Sequence, residues 1–246
     1  MAALTPTSRS RALRAQDWLV VFLAKYQVHY QAHPDSLLNP DDMCPSLATA
    51  PRWVYALLRG PLLSSHTPLS THRHSPDRRT WLYTLYRSLP MEDLLTAVHP
   101  QLSAYRSHSA CVDSDVALTW GAIYQAGCRL YVLDAYTHIY VYLTAADAIP
   151  SSEGSEHNAI EFPPPKTSVL WRDVLALKQR RLRTARVVCC QAGMADAAPF
   201  ESYIEHDHEA VPAAVGCHGY ASAGGFSFSS FLGFLHKEVA AHLHGI

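Results

Sequence analysis

Two adjacent cysteines, Cys189 and Cys190, are the residues of the sequence best placed for covalent chemistry. They end an apolar segment, Arg186 to Gln191, whose composition is typical of a buried strand, and the residues that follow lead toward a helix. A helix N-terminus lowers the pKa of a thiol, so Cys190 is a candidate nucleophile of a cysteine-dependent α/β enzyme. The alternative is structural, because adjacent cysteines in a strand are more often small buried apolar residues.

Histidines and acids form a second group, whose chemistry would be metal binding. His206 and His208 flank Asp207, and Cys217 and His218 follow shortly. Zinc sites use ligand spacings such as C-x-x-C or H-E-x-x-H, and neither spacing occurs in the sequence. The six cysteines show no repeated spacing either. We therefore expect no metal, no cofactor and a reducing compartment.

A third group is basic and follows a predicted helix that starts at Val169. Its members are Lys178, Arg180, Arg181, Arg183 and Arg186. No acid lies between Asp173 and Asp196. Cations at this position complement the negative end of the helix dipole, which is the structural interpretation. The functional interpretation is a patch that binds an anionic protein surface or lipid headgroups.

The composition limits the class of protein that these groups can serve. The chain has 246 residues, 48% of them hydrophobic, with 20 basic against 21 acidic side chains. This balance argues against a nucleic-acid binder. The apolar segment Trp18 to Ala24 is too short to cross a bilayer.

Residues 1–16 contain three arginines and no acid, a composition that resembles a targeting peptide, but no cleavage site follows it. We expect this N-terminus to be disordered.

Apolar spacing divides the chain into two regions. Helices are predicted from Leu13 to Tyr30, after Pro51, after Pro76 and up to Val98, so residues 17–106 indicate a helical domain. Residues 107–246 indicate a second domain of α/β type, with a loop insertion at about 145–166. Its predicted elements are strands at 129–133 and 138–143, a helix from Val169 to Leu182, a strand from Arg186 to Gln191 and a closing helix from Phe231 to Leu243.

The order of these segments resembles the C-terminal part of the inner-shell subunits of the COPII vesicle coat, and most of all the subunit that activates the Sar GTPase. The most similar stretch runs from Leu130 to Val141, and Val188, Cys189, Gln191 and Gly193 follow at the family's spacing. The resemblance also includes the segment from His99 to Tyr105. It implies an α+β chain in which an all-helical domain precedes a gelsolin-like α/β domain with a mixed central sheet.

The resemblance also implies a function. It predicts a non-enzymatic coat component in transport from the endoplasmic reticulum to the Golgi, cytoplasmic and peripheral at exit sites, with other coat subunits and a Sar-type GTPase as partners. In the family, a loop after the strand that matches Val187 to Cys190 supplies an arginine finger, and its place falls on Ala197. The partner-binding loop would consist of Gly193, Met194, Ala195, Asp196 and Ala197. No arginine follows Arg186, so GTPase activation is in doubt.

Overall fold

The structure is a computed structural model that describes residues 7–30, 49–60, 62–63, 76–145, 160–204 and 228–244. The chain separates into two compact units, Met1–Ser88 with Glu209–Ile246, and Leu89–His208. The helices are α1 (Thr7–Tyr30), α2 (Ala50–Arg59), α3 (Pro76–Ser88), α4 (Met91–Val98), α5 (Trp120–Ala126), α6 (Val169–Gln179), α7 (Ala198–Glu201) and α8 (Phe228–His244). The strands are β1 (Gln101–Ser107), β2 (Ala110–Val116), β3 (Leu130–Asp134), β4 (His138–Leu143) and β5 (Arg186–Gln191).

The first unit is helical, and its core forms where α1, α2 and α8 meet. Leu19 and Leu23 of α1 pack with Tyr55 of α2 and with Phe231 and Leu235 of α8. The buried positions recur every three or four residues in α1 and every four residues in α8, so each helix presents one buried stripe to the others. Pro51 lies in the first turn of α2, where its missing N–H leaves no hydrogen bond unmade.

The second unit is built on a mixed sheet. Among the described residues, five strands form it in the order β2-β1-β3-β4-β5. The pairs β1–β2, β1–β3 and β3–β4 are antiparallel, whereas β5 runs parallel to β4. All five residues of β3 are buried, because helices cover both faces of the sheet. The predicted α+β class with a mixed central sheet is confirmed.

Two apolar layers hold the helices on this sheet. On one face, Tyr131 and Tyr142 pack with Ile123 of α5 and Phe200 of α7. On the other face, Val132 and Val141 belong to a cluster with Leu170 and Val174 of α6. Alternate residues of β3 and β4 therefore pack into opposite apolar layers, because successive side chains of a strand point to opposite faces of the sheet. The side chains of Thr119 and Ser168 cap α5 and α6 by accepting hydrogen bonds from Ala122 N and Trp171 N.

The compact units of the structure divide the chain at positions that differ from the predicted domain boundaries. The sequence placed the boundary at residue 107, but β1 begins at Gln101 and α4 already belongs to the second unit. The closing helix α8 was predicted to be part of the second domain, yet its apolar stripe packs on α1 and α2. The local apolar period predicts that a helix exists. It does not predict which other elements bury the apolar stripe of that helix, because those elements are distant in the sequence.

Two other expectations also change. Residues 7–16 were expected to be disordered, but α1 begins at Thr7. Of the predicted loop insertion at about 145–166, residues 146–159 lie outside the described residues, while Ile160 and Phe162 pack against the α6 face of the sheet. None of the helices in the described part of the chain combines the length and apolar character needed to span a bilayer.

Candidate partner-binding surface

The turn between β3 and β4 has an unusual backbone conformation, which the side chain of Asp134 stabilises. Tyr136 has a backbone φ of 61°, a value that residues other than glycine rarely adopt. The Asp134 carboxylate accepts a hydrogen bond from Tyr136 N at 3.0 Å, and Ala135 N donates to His138 O at 2.9 Å. The aspartate thus closes the local turn with its side chain, an arrangement that this residue type favours.

Arg181 joins this turn to two other elements. Its Nη2 donates to Asp134 Oδ2, and its Nη1 donates to Asp93 Oδ1 of α4 at 3.0 Å. Its guanidinium carbon lies 4.8 Å from the centre of the Tyr136 ring. Only 8% of the Arg181 side chain is exposed. Burial raises the pKa of the Asp134 carboxyl, and the neighbouring guanidinium opposes that rise by favouring the charged carboxylate.

The five-cation patch predicted from the sequence is therefore smaller in the structure. Arg181 points inward and is neutralised by two carboxylates, so it is not available to an anionic partner. Arg180, Arg183 and Arg186 are exposed, and Lys178 is half-buried. The remaining cations lie between the last turn of α6, which contains Lys178, and the first residue of β5, Arg186. Among the described residues, neither of the ion pairs of this region involves them.

The predicted partner-binding loop, Gly193 to Ala197, begins two residues after the end of β5. Gly193 has a φ of 80°, so the loop turns sharply at a position that suits glycine. Met194 is 59% exposed, and Ala195 and Asp196 are exposed beside it. Ala197 is different, because its side chain is completely buried against the core that contains Phe200. Ala197 N donates to Met194 O at 3.0 Å, which closes the turn before α7.

Ala197, the position to which the resemblance assigns the family's arginine finger, is buried. A side chain at this position points into the sheet core and has no direct path to a partner. The exposed positions next to it are Asp196 and Ala198. Neither is a cation, and among all residues after Arg186 the only cation besides histidine is Lys237 in α8.

The nucleophile hypothesis for Cys190 is wrong for a physical reason. Its side chain is 0% exposed and belongs to the core between β4 and α7. Burial is the main reason why the pKa of the Cys190 thiol is raised to about 12, with smaller contributions from Asp196, Cys189 and Glu201 nearby. Its Sγ donates to Val141 O at 3.8 Å. A buried, protonated thiol is the opposite of the exposed thiolate that nucleophilic catalysis needs.

The candidate metal ligands cannot be placed. His206, His208, Asp207, Cys217 and His218 lie outside the described residues. Within the described ranges, no group of three or more histidine, cysteine, aspartate or glutamate side chains is arranged to hold a metal ion.

Comparison with known proteins found one similarity in sequence and one in fold. No family model matches the sequence. The chain is 31% identical over 252 residues to Protein transport protein SEC23 D of Arabidopsis thaliana, an alignment that covers 99% of this chain and 31% of that protein. The crystal structure of the human COPII-coat protein Sec24c matches with a TM-score of 0.61 and 15% identity, over 94% of this chain and 30% of that one.

The chain is similar in sequence to a SEC23-type transport protein and in fold to a Sec24-type COPII-coat protein. The resemblance predicted from the sequence is confirmed, and the structural match to Sec24c extends over 94% of this chain. The chain spans about a third of the length of either relative, 31% and 30% respectively.

Within this Sec23/Sec24-type fold, sequence reasoning missed the residues that order the basic segment. Asp93 was assigned only to a helical stretch, and Asp134 and Tyr136 only to a turn and to the family resemblance. The one local signal was Asp134 itself, since aspartate two residues before a strained position is typical of a side-chain-closed turn. Nothing in the spacing linked it to Arg181, which is 47 residues away.

Proposed function

We propose that the chain is a component of the COPII coat that acts in protein transport from the endoplasmic reticulum to the Golgi. The observation that carries this proposal is the similarity to a transport protein of the SEC23 type along 99% of the chain. The shared fold with a COPII-coat protein supports it independently. In this role the chain works through its surfaces and is not itself an enzyme. The cysteine-dependent enzyme is not retained, because Cys190 is buried and protonated.

The proposal has a finer part that concerns partners. Other coat subunits and a Sar-type GTPase are the expected partners, with peripheral attachment to the endoplasmic reticulum membrane at exit sites. The surface offered to the GTPase is the loop Gly193–Ala197, whose exposed apolar residue is Met194. GTPase activation by an arginine finger is absent from this proposal, because the matching position, Ala197, carries a methyl group that faces the core.

Localisation in living cells tests the proposal. We expect a fluorescently tagged chain to concentrate at exit sites of the endoplasmic reticulum together with a COPII marker. The signal should disperse into the cytoplasm when a GDP-locked Sar GTPase blocks coat assembly. A tag at the C-terminus leaves residues 1–16 free to act as a targeting peptide. An exclusively mitochondrial or secreted signal would therefore contradict the coat role and favour the targeting interpretation of that segment.

A further inference from the structure

Three arginines near the edge of the sheet lack the counter-charges that exposed arginines commonly have. Arg180, Arg183 and Arg186 are exposed, and among the described residues neither ion pair of this segment includes them. No acidic residue occurs between Asp173 and Asp196. Leu182, in the middle of the group, is 77% exposed. We call the surface formed by Arg180, Leu182, Arg183 and Arg186 the arginine edge.

The arginine edge is built on a fixed base. Arg181 lies between its members in the sequence but points the other way, toward Asp93 and Asp134. These two ion pairs and the contact with the Tyr136 ring tie the segment between α6 and β5 to the body of the unit. A surface whose backbone is already ordered loses less conformational entropy when a partner binds.

Strand β5 adds unpaired backbone groups to this surface. It is an outer strand of the sheet, next to β4 only. Arg186 N donates to Thr137 O and Ala192 N donates to Leu143 O, so the even-numbered residues of β5 bond toward β4. Because the backbone direction alternates with a period of two, the N–H and C=O groups of Val187 and Cys189 point away from β4. Within the described part of the chain, no second strand pairs with them.

From this combination we propose that β5 and the arginine edge bind an extended acidic peptide segment of a partner protein, which adds to the sheet as a further strand. The outward backbone groups of β5 supply main-chain hydrogen bonds, as in other strand-addition complexes. The guanidinium groups fit carboxylates with two parallel hydrogen bonds each. Leu182, four residues before the start of β5, offers one exposed apolar contact. A bilayer surface would satisfy the charges but leave the strand edge without partners, so the geometry favours a peptide.

A synthetic peptide tests the proposal on the full chain, independently of any coat role. The probe is a fluorescein-labelled peptide of alternating glutamate and valine, and the readout is fluorescence anisotropy at low ionic strength. We expect saturable binding that weakens as salt is added, because exposed charge pairs are screened. The combined variant Arg180→Gln, Arg183→Gln, Arg186→Gln should bind about tenfold or more weakly, in keeping with three lost exposed ion pairs.

Matched controls separate the charge from the strand edge. Arg172→Gln removes an equally exposed arginine from α6 and should leave the affinity unchanged. A peptide N-methylated at every backbone nitrogen keeps its charges but has no N–H to donate to β5 on either edge, and it should also bind about tenfold or more weakly. Equal binding of the N-methylated peptide, or equal binding by the triple variant, would overturn the proposal. Arginine-dependent sedimentation with phosphatidylserine vesicles, without peptide binding, would overturn it in favour of a membrane surface.

Discussion

Arg181 is the residue on which the order of the segment between α6 and β5 depends most. Its guanidinium serves two carboxylates from separate elements, Asp93 of α4 and Asp134 at the end of β3. Asp134 is only 3% exposed. Removing one partner of such a pair leaves a charge buried without compensation, and this loss generally costs about 3 to 5 kcal/mol.

We therefore predict that Arg181→Gln lowers the free energy of unfolding of the unit Leu89–His208 by about 3 kcal/mol. The matched control is Arg183→Gln, which removes an exposed arginine two residues away and should change this free energy by less than about 0.5 kcal/mol. Urea denaturation followed by tryptophan fluorescence measures both variants, in a background where Trp18, Trp53 and Trp81 are replaced by Phe so that only Trp120 and Trp171 report. Equal stability of the two variants would contradict the ion-pair network described here.

Cysteine reactivity gives a second prediction at this scale. Cys190 is buried with its pKa raised to about 12, whereas Cys111 is exposed on β2. Iodoacetamide at neutral pH should therefore modify Cys111 in the folded protein and leave Cys190 unmodified until urea unfolds the chain. Peptide mass spectrometry distinguishes the two sites, and Cys111→Ser removes the reactive one. Fast native modification of Cys190 would restore the enzyme hypothesis.

The sequence could not separate Arg181 from its four basic neighbours. Its partners are 88 and 47 residues away, and the local pattern shows only a run of cations after a helix. For Cys190, both a functional and a structural interpretation were available, and the decision required the burial that only the fold supplies. Residue roles that depend on distant partners are thus the least predictable part of this surface.

Among the elements, the strands β3, β4 and β5 were predictable and the first hairpin was not, although β5 is only half-buried. β3, β4 and β5 have apolar residues at most positions, so their composition indicated strands close to the observed bounds. β2 has six of its seven residues exposed, so it shows no apolar alternation. β1 pairs with both β2 and β3, and its irregular register with β2 further obscures the two-residue pattern.

The loop after β5 leads to a prediction about GTP hydrolysis. We expect the unmodified chain not to accelerate hydrolysis by a Sar-type GTPase in a single-turnover assay. An arginine finger neutralises charge that develops on the transferred phosphoryl group and raises the rate by roughly 10³ to 10⁵. The resemblance assigns the finger's position to Ala197, which is an alanine and is buried. Robust stimulation by the unmodified chain would refute this prediction.

A gain-of-function variant can test whether the loop still meets a GTPase. Arginine at Ala197 would have to fit inside the sheet core, which overpacks it, so this substitution is unsuitable. Ala198 is the exposed neighbour, and Ala198→Arg can present a guanidinium beside the loop. Ala198→Gln is the control of similar length without charge. Stimulation by the arginine variant alone is the result expected if the docking surface is retained. Equal inactivity of both would argue against GTPase docking through this loop.

At the scale of the molecule, the last helix completes the first unit. Leu235 of α8 is fully buried with Leu19 and Leu23 of α1. We predict that Leu235→Ala costs about 2 to 5 kcal/mol and reduces the hydrogen-exchange protection of amides in α1, while amides in β3 keep theirs. Leu133→Ala, in the core of the sheet, should give the reverse pattern. Loss of protection in β3 with α1 unchanged would place α8 on the sheet, as the sequence had suggested.

The central claim is that the chain is a COPII coat component, and the most direct test is the identity of its partners in cells. A tagged chain should be purified after mild chemical cross-linking, and its partners quantified by mass spectrometry. A chain carrying both Leu235→Ala and Leu133→Ala is the control, because both units are destabilised and any capture by chaperones is then visible. The account predicts that COPII subunits are enriched with the unmodified chain over this control. Reproducible recovery of the tagged chain without any COPII subunit above the control would contradict it.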